Sequence, residues 1–524
     1  MILKKLQKSI HFKNILAFSL SFSFVTSCIQ YRPPPVQKPE VTEWKSEASE
    51  TGEKLPEKYN RYTAKWWEIF DDPVLNDLQE AALKNSPTIQ LQIATLQESR
   101  AIWRYVRADQ FPQLNLQGNA NRTHLAKDAP IGGANTGSSS PSSSSLAPFS
   151  LSKSPATTTP TNSSAAAPAT AATTATPGLG TTVSPRNISF FQVTPELSYE
   201  IDFWGKYWGN SQATLMQAKA SEEDVRTAYL QLTTSVAQNY FELKAYDETI
   251  NIYQKTIVYY QHALDLTAAR FTGGIVSAQD PLQAEVTLRT TQAQLEEIIR
   301  ERAYSENSLA TLVGIPASLF EFTSQGFTPK FPVIPAGLPM EILKNRPDVR
   351  SAEDQVEAAR LFVGVAKTAF YPQISLFGIA GYESNKLHNL FKWKNHVLSI
   401  TGQLLQTVYD GGRNSAELKR TKAVYRETVS TFINTILNAF EEAENAIFTV
   451  TSADREVERR EAELAAAEDL LEITTLNYLN GLTTYLDVIN AEQSLLQAER
   501  DYISSIQERA IATVSLVKAL GGVW

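Results

Sequence analysis

The stretch FTGGIVSAQDPLQAE at residues 271–285 returns as YLNGLTTYLDVINAE at residues 478–492. Each copy ends a helix on a glycine turn, Gly274 or Gly481, and starts the next helix at Ser277 or Thr484, with Asp280 or Asp487 three residues on. A hydroxyl residue followed at that spacing by an acid is a capping-box pattern, in which the two side chains satisfy the backbone N–H groups left open at a helix start. Both boxes lie 207 residues apart, so the spacing predicts two helical hairpins with matching tips at 271–280 and 478–487.

Upstream of the first tip, helical periodicity runs from about Lys206 to Arg270, with Val225, Tyr229, Leu232, Val236, Tyr240 and Leu243 at alternating spacings of three and four. That is a coiled-coil seam. A helix of about 65 residues would be roughly 100 Å long, and a second long helix returns from the tip to about Val313. The whole plan then repeats. LKNSP at 83 recurs as LKNRP at 343 and FPQLNLQG at 111 as YPQISLFG at 371, an offset of 260, while WGK at 204, FTGG at 271 and LATLVG at 309 recur 207 residues later. The change of register is the extra length of one polar block in the first copy, so 63–314 and 336–524 read as an internal two-fold repeat joined by a linker at 315–335.

Period two marks the strands. Leu114, Leu116, Gly118 and Ala120 alternate with Asn115, Gln117, Asn119 and Asn121 in a strand expected at about 111–124. A second, at about 188–203, sets Phe191, Val193, Leu197, Tyr199, Ile201 and Phe203 against Gln192, Thr194, Glu196, Ser198, Glu200 and Asp202. The second copy repeats this more weakly at about 372–384 and 397–408. One face wholly apolar and the other wholly polar suits a transmembrane barrel, lipid outside and water within. Four strands cannot close one, because about eight is the practical minimum. Open edges in lipid would leave backbone groups unpaired at several kcal/mol each, so the chain must associate with copies of itself around an axis. Between the first two strands, residues 126–186 are Ser, Thr, Ala, Pro and Gly with almost no charge, a loop that cannot bury enough to become ordered.

The leader at 1–27 has Lys4, Lys5, Lys8 and Lys13 before an apolar run from Ile15 to Val25, too short for a membrane span and therefore a secretory signal. VTSC at 25–28 has the form of a bacterial lipobox, and Cys28 is the chain's single cysteine, so no disulfide competes for it. Residues 28–62 read as a tether. A net charge of −8 and the lack of a basic patch interleaved with aromatics argue against nucleic acid. Five dispersed histidines and no HExxH, GxSxG or P-loop pattern argue against catalysis or a metal site.

Taken in order, the lipobox, WWEIFDDPVLNDL at 66–78, LKNRPDVRSAEDQVEAA at 343–359, the paired FPQ and YPQ strand starts, the paired tips and the terminal ALGGVW resemble the TolC-type outer-membrane efflux family. Within that family the pattern is similar to the lipoproteins of RND-type tripartite pumps. The resemblance implies a mainly α chain that adds four strands to a trimeric, twelve-stranded outer-membrane β-barrel, continued by a long periplasmic α-helical barrel. It implies a homotrimer anchored in outer-membrane lipid by diacylglycerol and an N-acyl chain (palmitate) on Cys28, with no other cofactor. Its partners would be a periplasmic adaptor and an inner-membrane transporter, and substrates would pass without chemistry. Asp280 and Asp487 match the family's pore-gate aspartates, and Tyr478 a tyrosine of the closing network. A further gate aspartate is Asn490 here, and the arginine expected near Thr483 is missing. Gly274, Ile275, Ser277, Gly481, Leu482 and Thr484 match the surface offered to the adaptor.

Two other readings stay open at this level. A type I protein-secretion exit duct would share the fold, although the lipobox and ALGGVW favour the pump-associated branch. A non-channel coiled-coil surface lipoprotein would explain the long helices, but predicts neither amphipathic strand pairs nor matched tips. The plainer interpretation of Asp280 and Asp487 is helix capping alone, which is compatible with a place beside a pore.

Overall fold

The structure is a computed structural model, and it describes residues 31–34, 36, 38, 39, 53, 54, 65–124, 187–323, 326, 327, 331–333 and 346–522. The leader, Cys28, most of the tether, the block at 126–186 and part of the linker at 315–335 lie outside the described residues.

The chain forms two compact units. The larger, helical unit contains α1 (Pro73–Asn85), α2 (Pro87–Ala108), α3 (Lys206–Thr272), α4 (Gln279–Val313), α5 (Pro347–Thr368), α6 (Arg413–Leu479) and α7 (Tyr485–Ala519). Helices α3 and α6 each have 67 residues and α4 and α7 each 35, so the repeat is kept to the residue in length. At 1.5 Å per residue the longer pair reach roughly 100 Å. None of the described helices is long and apolar enough to cross a membrane.

Such helices hold because each lays a stripe of side chains on its neighbours. Val225, Leu232, Val236, Tyr240 and Leu243 are buried along α3, while Tyr229, expected in the same seam, is exposed. The residues before α1 lock onto this stripe. Trp66 donates from Nε1 to Thr233 Oγ1 at 3.1 Å, and Gln79 donates to the Thr233 carbonyl at 2.7 Å. Asp72 caps α1 by accepting from Val74 N and Leu75 N through one oxygen, and takes Tyr240 Oη (2.5 Å) and Lys244 Nζ (3.0 Å) on the other. Burial alone would push the Asp72 carboxyl up, but these donors outweigh it and hold it below its ordinary range.

An ion pair recurs with the repeat. Arg302 Nε donates to Asp247 Oδ1 at 2.7 Å across the α3–α4 hairpin, and Arg509 pairs with Asp454 across α6–α7, both positions displaced by 207. Arg346, within LKNRP, is buried against Asp348 (2.6 Å), Glu442 (2.7 Å) and the Ala519 carbonyl (3.2 Å), tying α5 to both helices of the second hairpin. The described part of the tether is strapped to the helices. Arg360 donates to the Tyr31 carbonyl at 2.9 Å, Tyr31 meets the Tyr425 ring edge-on at 5.6 Å, and Lys38 pairs with Glu353 at 2.9 Å.

The smaller unit is a four-stranded sheet in chain order, β1 (Gln113–His124), β2 (Asn187–Glu200), β3 (Gln373–Ser384) and β4 (His396–Leu405). The β1–β2 register sets Leu114 opposite Leu197, Gly118 opposite Val193 and Ala120 opposite Phe191, while Asn115 faces Glu196, Gln117 faces Thr194 and Asn119 faces Gln192. Apolar residues therefore share one face and polar residues the other, as period-two alternation demands. Strand β2 stops at Glu200, short of the expected 203, because the chain bends at 201–205 and enters α3 through Gly205 at φ +76°. Strand β4 stops at Leu405, short of 408, where the chain turns towards Asp410, which accepts from Gly412 N and Asn414 N at 2.8 Å.

At Gly381, β3 lies hard against β2. A Cβ there would lie 2.8 Å from Thr194 Cα and closer still to the Val193 carbonyl oxygen, both backbone atoms that cannot swing aside. Gly381→Ala is expected to cost about 1–3 kcal/mol through overpacking, read as a lower thermal midpoint in detergent. A wild-type midpoint would mean that the strands part at that rung without strain.

Candidate functional site

The two hairpin tips close by one mechanism. Ile275 N donates to Arg270 O (2.9 Å) and Gly274 N to Phe271 O (2.9 Å), and 207 residues on Leu482 N donates to Asn477 O (2.8 Å) and Gly481 N to Tyr478 O (3.0 Å). These are the paired bonds of a Schellman ending, which needs a left-handed residue at the glycine. Gly274 has φ +72° and Gly481 φ +75°. Beyond each glycine an apolar residue, Ile275 or Leu482, stands largely in solvent.

The helix starts after the turns differ. At the second tip the expected box forms: the Thr484 side chain faces the Asp487 N–H while Asp487 accepts from Thr484 N (2.9 Å), and Asp487 also takes Thr484 Oγ1 (2.7 Å); the bonds from Thr484 hold its carboxyl below its ordinary range. At the first tip the expected box does not form. Ser277 Oγ instead accepts from Gln279 N at 3.2 Å, and α4 begins at Gln279, so that Asp280 sits at its second position. The cause is Pro281. Were Ser277 the cap, the first intrahelical bond to its carbonyl would have to come from the Pro281 nitrogen, which carries no hydrogen. Starting one residue later, with Ala278 as the cap, places the proline inside the first turn, where its missing donor costs nothing.

Both hairpins meet just beyond the tips. Ala284 of α4, Tyr478 of α6 and Tyr485, Val488 and Ile489 of α7 form one buried cluster, flanked by Leu264 of α3 and Leu471 of α6. Tyr478, expected in a closing network, is buried in this cluster, with the Arg270 guanidinium 4.7 Å over its ring and Tyr485 5.5 Å away. Its hydroxyl has no hydrogen-bond partner among the described residues. Asp487 and Asn490, one turn apart, share the exposed face of α7, and Asp280 is half-buried at the other tip. Gly274, Ser277, Gly481 and Thr484 are exposed, so the tip residues form outward surfaces on both hairpins.

Sequence reasoning missed Glu492, which is only 4% exposed. It follows Tyr485, Val488 and Ile489 at core-facing helical spacing, so a carboxylate in a hydrophobic phase was the available signal. It also missed Arg270, whose stacking partner lies 208 residues away.

The chain has known relatives. The family profile for "Outer membrane efflux protein" matches residues 78–315 and again 338–522, one match to each repeat. The pyoverdine export outer membrane protein OpmQ of Pseudomonas aeruginosa is 27% identical over 460 residues, covering 88% of this chain and 87% of its own. The cation efflux system protein CusC of Escherichia coli is 26% identical and covers 89% of each. The solved CmeC outer membrane channel of Campylobacter jejuni superposes with a TM-score of 0.80 at 23% identity, over 94% of both chains, which speaks for the fold. With the helical hairpins, the four strands and the repeat all accounted for by one profile, the chain belongs to the outer membrane efflux protein family.

Proposed function

We propose that this chain, the outer-membrane channel component of an efflux pump, completes its channel as a homotrimer whose periplasmic mouth is closed at the hairpin tips. The carrying observation is the open sheet. Strands β1 and β4 have no second neighbour among the described residues, and both edges show apolar rows at period two, with Leu114 71% and Leu398 72% exposed beside Leu116, Ile400 and Leu404. In lipid such edges need partners and such rows need hydrocarbon. Three copies supply twelve strands, enough to close a barrel.

In this reading Asp280, Asp487 and Asn490 line the mouth, Tyr478 supports it from the buried cluster, and Gly274, Ile275, Ser277, Gly481, Leu482 and Thr484 meet a periplasmic adaptor that links to an inner-membrane transporter. Exposed apolar side chains on rigid, glycine-closed turns suit docking, because little conformational freedom is lost on contact. Cys28 carries the lipid anchor, residues 28–62 lead from it to the helices, and 315–335 connects the two repeats. A single acyl signal holds a protein to membrane only weakly, so anchor and barrel act together.

Purified protein in detergent should migrate as a heat-modifiable trimer and give discrete single-channel steps in planar bilayers; a monomer without conductance would end this reading. Cys28→Ser should abolish incorporation of labelled palmitate while leaving those steps in place. Labelling that survives the substitution would remove the anchor assignment.

A further inference from the structure

Above the tip cluster, between α3, α6 and α7, lies a cavity of about 270 Å³ whose lining includes Tyr259, Tyr260, Leu495, Glu492, Glu499 and the exposed Lys255. The Glu492 side chain reaches it from a buried position, and among the described residues neither of its carboxylate oxygens receives a well-formed hydrogen bond. The Tyr260 hydroxyl is also buried, without a partner among the described residues. An unpaired buried charge costs far more than a paired one, and no cation among the described residues pairs with Glu492, so its ionised form is left uncompensated.

The lining narrows the occupant. A hard divalent ion wants six or more oxygens, and no group of three ligating side chains exists among the described residues. An anion would meet two carboxylates. A neutral apolar molecule would fit the tyrosine and leucine walls and leave Glu492 unpaired. A cavity of about 150 Å³ already accepts benzene, so the space here suits a small molecule with one charged end. Tyrosine faces beside a carboxylate are the surroundings in which organic cations are held.

We propose that this cavity binds a small organic ammonium ion, its nitrogen against Glu492 and its hydrocarbon part between Tyr259, Tyr260 and Leu495. The site is separate from the tip aspartates and does not depend on the conduit reading.

The charged and titratable groups facing it are Lys255, Tyr259 and Tyr260 from α3, Glu468 from α6, and Tyr485 and Glu499 from α7. Lys255 acts on Glu499, partly offsetting the rise that burial imposes there. Burial pushes the Glu492 carboxyl up to about 7, and the Tyr259 hydroxyl offsets this only in part. Binding needs the ionised form. The ionised fraction of a group titrating near 7 rises about tenfold between pH 6 and pH 8, and affinity should follow it.

The test is calorimetric titration of the full chain in detergent with benzylammonium chloride, and with benzyl alcohol as the neutral isostere. Saturable binding of benzylammonium at one site per chain is expected, with benzyl alcohol roughly tenfold weaker or more. Affinity should rise about tenfold from pH 6 to pH 8. Glu492→Gln keeps the shape and removes the charge, so it should fold and lose most of the affinity and most of the pH dependence, Glu499 supplying what remains. Tyr259→Ala, at an exposed wall, should weaken binding separately. Absence of saturable binding to the wild type, or unchanged affinity in Glu492→Gln, overturns the proposal. So does a wild type blind to benzylammonium whose oligomer dissociates on Glu492→Gln, because the occupant would then be a basic side chain of a second copy.

Discussion

Replacing Asp280 and Asp487 together by asparagine should raise single-channel conductance, admit large antibiotics that the wild-type mouth excludes, and collapse its preference for cations. Asparagine is the informative replacement. Its carbonyl can still accept from Thr484 N and Oγ1, the two bonds that Asp487 makes, so the start of α7 is preserved while the charge is lost. Alanine would change cap and charge together. In a trimer the two positions bring up to six carboxylates to one opening, and like charges at close range disfavour full ionisation while attracting cations. Loss of the ring should lower the cation-to-anion permeability ratio by roughly tenfold. The single variants should not be equal. Asp487 is held in one orientation by Thr484, whereas the Asp280 carboxylate makes no hydrogen bond or ion pair among the described residues and is free to reorient toward cations. Asp487→Asn should therefore take most of the fixed selectivity, and Asp280→Asn most of the sensitivity to divalent ions. Unchanged conductance and selectivity in the double variant would reduce both aspartates to helix starts.

Much of this was legible because the signals are local. A glycine turn needs its left-handed residue wherever it stands, so Gly274 and Gly481 announce the tips; period-two alternation is as plain at Leu114 to Ala120 as the pairing with Val193 and Leu197 that it requires. What could not be read depends on distant partners or on one exceptional residue. Tyr229 has the right phase for the α3 seam, yet its side chain stays partly in solvent while Ala228 and Leu232 beside it are buried. Ser277 and Thr484 have the same spacing to their acids, but Pro281 removes the donor that the Ser277 carbonyl would need, and their geometries diverge. Arg302 and Arg509 read as surface charges in helices rich in Arg and Glu, and only the folded hairpins set them against Asp247 and Asp454. The same limit hid Glu492, whose phase says core while its chemistry says surface.

That repeated ion pair also sets how firmly each hairpin is zipped, and the two copies should respond very differently to its loss. Arg509 is 2% exposed, donates to Asp454 and to Thr513 Oγ1 (2.5 Å), and stacks its guanidinium 5.0 Å over Phe331. Arg302, with 22% of its side chain exposed, shares its charge between Asp247 and Glu306 and reaches the Phe322 carbonyl at 3.2 Å. Removing one partner of a buried pair costs about 3–5 kcal/mol, and the cost falls as solvent reaches the pair, which it does more at Arg302 than at Arg509. Arg509→Met should therefore unfold far faster than Arg302→Met. Because large membrane proteins unfold irreversibly, the readout is the inactivation rate in detergent at fixed temperature. A loss of about 3 kcal/mol corresponds to a rate increase of more than roughly a hundredfold if the hairpin separates in the transition state. Adding Asp454→Leu to Arg509→Met should recover much of that loss, because an apolar pair of similar volume carries no desolvation cost. Equal rates for the two single variants would show that the α6–α7 hairpin is held by its apolar stripe alone. Failure of the double replacement to recover stability would assign Arg509 its worth through Thr513 and Phe331 rather than through the carboxylate.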